Sequence, residues 1–172
     1  MGASLSGPAS LRACHPRTNR KEKSNLANYF TNFSLIMPLP SEAAEKYALD
    51  LAHQAFLIRM GEEMPGDFPE SLRDAVEDWQ FDTDASDSSN GWGLWIHSGD
   101  GGVDAVCAFI QHLLERFDPE GHVSLEWSND CSQPRVDAFG GGAALVTAGK
   151  IKTINTGQWL HRQVARLPKP NP

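Results

Sequence analysis

No apolar run in this chain comes near the roughly 20 residues that a membrane-spanning helix needs. Cysteine is scarce too. Cys14, Cys107 and Cys131 are too few and too unevenly spaced for a disulfide framework. With no secretory h-region in view, a reducing cytoplasm is the expected compartment, and no membrane partner is expected. The metal motifs are missing as well: no histidine pair has i, i+4 spacing and there is no C-x-x-C. Basic residues are nearly absent from the middle of the chain. Residues 62–104 carry twelve acids against one base, Arg73, whereas from Lys150 onward there are five bases and no acid. A net charge of −7 with an acidic middle repels nucleic acid and suits a basic partner or a cation.

What is present is enough for one domain with a real core in 172 residues. Residues 1–36 are rich in Ser, Asn and basic groups without a sustained period, and read as a disordered basic extension. Met37 then opens a stretch that reads like a natural start. Ser41 suits an N-cap, with Glu42 and Glu45 in the first turn and Ala44, Tyr47, Ala48, Leu51 and Ala55 on one helical face. A second helix is expected over 69–79, with Leu72, Val76 and Trp79 on its stripe. Residues 82–91 read as a polar loop. Trp92, Leu94 and Ile96 alternate as a strand. A glycine-rich turn over 98–102 leads into a strong helix ending near Phe117. Val123, Leu125 and Trp127 mark another strand, 136–139, 143–147 and 151–154 read as further extended pieces, and Asn155 or Thr156 can cap a last helix ending by Pro168.

The expected fold is therefore α+β. A small mixed sheet of three to five strands carries its helices mainly on one face, in the order α-α-β-α-β-β-β-α, within a single domain over 37–167 and a frayed tail over 168–172.

Chemistry-bearing candidates are few. Cys131 lies in a polar segment with Arg135 four residues on, and Arg135 is a candidate to lower its pKa. His97 and His122 are the nearest candidate bases, with Asp130 or Asp137 as orienting carboxylate. The competing reading is a turn held by Asn129, Asp130 and Ser132. Cys107 sits in an apolar helical stripe and reads as a small buried hydrophobe. Asp82, Asp84 and Ser86 have the 1-3-5 spacing of a calcium loop, but position six is Asp87 and position twelve is Gly93, against the EF-hand pattern. Asp82, Asp84 and Asp87 stay as candidate cation ligands, as do Asp100 and Asp104. The 98–102 turn lacks the lysine of a phosphate-binding loop. Gly140, Gly141 and Gly142 permit a bulge, or a pocket floor beside Trp127 and Arg135. Trp95 and Glu126 stand opposite the core face only if their strands pair in register.

Trp127, the run Cys131-Ser132-Gln133-Pro134-Arg135, Phe139 with its three glycines, Val146-Thr147-Ala148, and Asn155 with Trp159 resemble a group of uncharacterised short hypothetical proteins of bacteria and their phages and plasmids. The resemblance spans 37–159. It implies a prokaryotic intracellular setting and carries over no catalytic residue. The expectation is an acidic binding or accessory protein acting on a protein partner, without cofactor and without direct nucleic-acid binding. Trp92, Trp95 and Trp127 are its candidate exposed aromatics. An enzyme using Cys131 as a thiol nucleophile and a divalent-cation-binding protein are the alternatives.

Overall fold

The structure, a computed structural model, describes residues 27–86, 91–133, 135–136 and 138–168. Its elements in chain order are β1 (Tyr29–Pro38), α1 (Glu42–Arg59), two short 3-10 turns (Glu70–Leu72 and Val76–Asp78), β2 (Asp82–Ala85), β3 (Gly93–Ser98), α2 (Val103–Phe117), β4 (His122–Cys131), β5 (Gly140–Thr147), β6 (Lys150–Asn155) and α3 (Thr156–Val164). The α+β class holds, but the sheet has six strands in the order β2-β3-β1-β4-β5-β6, and every named pair is antiparallel.

The largest correction concerns residues 29–36, expected in a disordered extension. They form most of β1, a central strand. Its upper half, Phe33–Pro38, pairs with β3, and its lower half, Tyr29–Asn32, pairs with β4. Both neighbours run antiparallel to β1, so β3 and β4 run parallel to each other, joined by α2 with β1 slotted between them. This is a split βαβ unit. Phe33 and Met37 point into the core and are buried, while Asn32, Ser34 and Ile36 face out. Residues 1–26 lie outside the described residues, as do 169–172 of the expected tail.

The expected helix over 69–79 buries the expected stripe, Leu72, Val76 and Trp79, yet it is not α-helical. Its backbone bonds run to the third residue back, as in Leu72 N–H to Pro69 O and Trp79 N–H to Val76 O. The loop expected over 82–91 begins as β2, an edge strand. Of the extended piece expected over 136–139, the described residues Val136, Ala138 and Phe139 are not in a strand, and Val136 is fully exposed. The ladder from Asn129↔Gly140 to His122↔Thr147 runs without a break, so the three glycines do not form a bulge.

One face of the sheet carries the core. Leu94 and Ile96 of β3, Val123 and Leu125 of β4, and Ala144 and Val146 of β5 are buried there with α1 and α2. The buried face of α1 is mostly alanine (Ala44, Ala48, Ala52, Ala55), which lets the helix lie close to the sheet. Ser41 caps it by accepting from Ala44 N–H, and Glu45 accepts from Gly93 N–H at 2.8 Å, tying the first turn to β3. Seven residues of α2 are buried. Its cap is Gly102, at φ +81°. A Cβ on Gly102 would press on the Asp78 carbonyl, so the left-handed turn and the close approach both require glycine there. Tyr47 of α1 and His112 of α2 meet at 2.8 Å, and Arg116 lies over the Tyr47 ring at 4.4 Å. Asn155 caps α3 as expected, accepting from Gly157 and Gln158, but α3 buries none of its residues.

Candidate functional site

The catalytic candidates do not converge. Cys131 ends β4 on the core side of the sheet, opposite Tyr29, and is only 8% exposed. Its backbone N–H donates to the Asp130 carboxylate at 2.6 Å, so Asp130 holds the turn. Ser132 completes that turn: its hydroxyl accepts from Asn28 N–H and its own N–H donates to Asn28 O, both at 2.9 Å. Arg135 donates to the Tyr29 hydroxyl at 2.9 Å on the surface. His97 projects from the opposite face, paired with Ser34. Five residue steps along β1 separate Ser34 from Tyr29, about 17 Å of extended chain. His97 and Cys131 thus lie far apart on opposite faces of the sheet. Asp137 lies outside the described residues.

Cys107 is buried in α2, and its thiol is pushed up to about 11 by that burial, with Asp104 adding to the shift. It is a core side chain, as its apolar stripe implied. Among the described residues no three metal-ligating side chains gather. Asp82 and Asp84 sit on β2, outward, and Asp84 Oδ2 is 3.2 Å from His97 Nε2. Asp87 lies outside the described residues.

The glycines answer to Trp127. Trp127 and Gly142 are cross-strand partners, and a Cβ on Gly142 would collide with the six-membered ring of the indole. A Cβ on Gly141, at φ +150°, would collide with the Trp127 carbonyl. The ring covers the strand at that point, so the segment shapes the sheet.

The face of the sheet opposite the core, exposed among the described residues, is the second feature. Trp95 and Glu126 do stand on it, although β1 lies between their strands. Trp95 is 43% exposed, stacks on His97 with ring centroids 3.9 Å apart, and donates its indole N–H to Ser34. Ile36, Leu145 and Ile154 are also exposed there.

The third feature was missed from the sequence. A groove runs between α1 and the free edge of β2, formed by two adjoining depressions of about 410 and 360 Å³. Phe56, Trp79, Phe81 and Asp82 line both. Asp50 and His53 stand at one end, Arg59 and Asp100 at the other. Arg59 donates to the Trp79 carbonyl at 2.8 Å, which fixes its guanidinium to the wall. Phe56 is 42% exposed. The available signal was an aromatic residue standing beside the alanine face of α1, followed by the acidic stretch.

Comparison with family models, with curated proteins and with solved structures finds no match to this chain.

Proposed function

We propose that this protein acts by binding, and that it takes a basic, partly apolar segment of a partner protein in the groove between α1 and β2. The groove itself carries this reading: it joins an exposed phenylalanine and a strand edge with one open side to the acidic residues Asp50 and Asp100, while Asp82, whose side chain the register turns to the other face, lines it with the strand itself. An open strand edge offers backbone groups to an added extended chain, and the neighbouring pocket receives its side chains. The carboxylates favour lysine or arginine and disfavour phosphate. A basic segment of this kind is also what contacts nucleic acid in many proteins, so occupying it fits an accessory role in a bacterial or phage setting. Among the described residues no helix is long and apolar enough to cross a membrane.

The test is a titration of the full chain with a fluorescent peptide alternating Lys or Arg with Leu, against a twin carrying Glu in place of each base. The basic peptide is expected to bind, to weaken as salt rises past about 0.1 M, and to lose binding to Phe56→Lys. Equal binding of the acidic twin, or no binding of the basic one at low salt, would sink the proposal.

A further inference from the structure

We infer that this exposed face of the sheet is the contact between two copies of this chain, stacked face to face about a two-fold axis parallel to the strands. The argument begins with charge. β2 and β6 are the two edges of the six-stranded sheet. β2 presents Asp82 and Asp84 outward, and β6 presents Lys150 and Lys152 on the same face, as their registers with β3 and β5 show. The face is thus acidic at one edge and basic at the other. A two-fold axis between the third and fourth strands lays β2 of one copy over β6 of the other, twice per dimer.

The residues also match along the strands. Asp84, Trp95 and Ile36 lie level across β2, β3 and β1. Ser124, Leu145 and Lys152 lie level across β4, β5 and β6. The β1–β4 pairing ends at Asn32–Ser128; carried on in the same register for four more residues, it puts these two rows at the same height. The axis therefore sets Asp84 over Lys152 of the second copy and Trp95 over Leu145 of the second copy. One symmetry operation places both the charges and the apolar side chains.

Size agrees. Six strands spaced about 4.8 Å apart and about six residues tall give on the order of 600 Å² per copy, near the lower bound for a stable interface. Packed sheets at about 10 Å keep their strands within about 30° of each other, as this axis allows. The groove beside α1 stays open.

The test is sedimentation equilibrium on the full chain. The wild type is expected to sediment as a dimer of the 18.9 kDa chain, and to dissociate more readily as salt rises. Asp84→Lys and Lys152→Asp are each expected to weaken dimerisation by about tenfold or more, because each sets like charges together at both symmetric contacts. The double variant Asp84→Lys/Lys152→Asp is expected to restore it, an outcome that misfolding does not produce. Leu145→Asp removes the apolar contact and should give a monomer with an unchanged circular-dichroism spectrum. A wild-type monomer up to hundreds of micromolar would overturn the inference. So would a dimer indifferent to all three variants, or a double variant no better than either single one.

Discussion

The indole of Trp127 lies across Gly142 on the neighbouring strand, so the glycine is the space the ring occupies. Gly142→Val is expected to force the ring off the strand and to destabilise the fold by about 1–3 kcal/mol, as overpacking does. Paired with Trp127→Ala, the same substitution should cost less than the sum of the two, since the collision with the ring is gone and only that with the Ile154 carbonyl remains. Urea denaturation of the four proteins measures the coupling, and strict additivity would contradict the contact.

β1 is a central strand, so a chain beginning at Met37 lacks Tyr29–Ile36 and leaves β3 and β4 without their shared partner. Such a truncation is expected to be unfolded or aggregated, with no cooperative thermal transition. As a milder test, Phe33→Ala should cost about 3–5 kcal/mol, the range for a buried phenylalanine. A truncated chain that melts cooperatively like the full one would show β1 to be dispensable.

Burial holds the ring of His112 below its ordinary pKa of 6.5, against a smaller opposing effect of Glu115, with Arg116 lowering it further. Tyr47 and Ser71 also face the ring. The unfolded chain takes up a proton near pH 6.5 while the folded chain resists it. Stability from this group is therefore full above that pH and is lost as pH falls below it. Comparing melting temperatures of the wild type and His112→Gln at pH 7.5 and 5.5 checks this. The variant should show the smaller acid-induced drop, and an equal drop in both would refute the assignment.

Both described cysteines are buried, and Cys107 has a thiol that burial keeps protonated at neutral pH. In a Cys14→Ser background, a thiol reagent at pH 7.5 should label the folded protein at least about tenfold more slowly than the denatured chain. Rapid labelling of Cys131 would show that the end of β4 opens and would revive a nucleophilic role for it.

Much of the fold is legible in the residues. Ser41 and Asn155 mark helix starts because their side chains can satisfy free backbone N–H groups locally. The apolar spacing from Val103 to Phe117 specifies α2 because one helix face must be buried whatever lies against it. Val123, Leu125 and Trp127 mark a half-buried strand by the same logic. The alternation of Phe33, Leu35 and Met37 is also present, but it adjoins a basic, Ser- and Asn-rich stretch that obscures it.

The candidate site was less legible. Cys131, Arg135, His97 and Asp130 are near one another only as residue types, and the sheet sends His97 to one face and Cys131 to the other. The groove joins Asp50, Phe56, Phe81 and Asp100, whose common wall exists only once α1 lies along β2. The sequence alone determined the three α-helices, the caps of the first and the last, and the buried stripes, because those depend on spacing over one or two turns. Only the tertiary structure decided that β1 is central, that Trp127 needs Gly142, and that one face of the sheet is exposed among the described residues and charge-graded. Those features depend on which strands become neighbours, and the strands on either side of β1 lie roughly 60 and 100 residues away in the chain, beyond the reach of local periodicity.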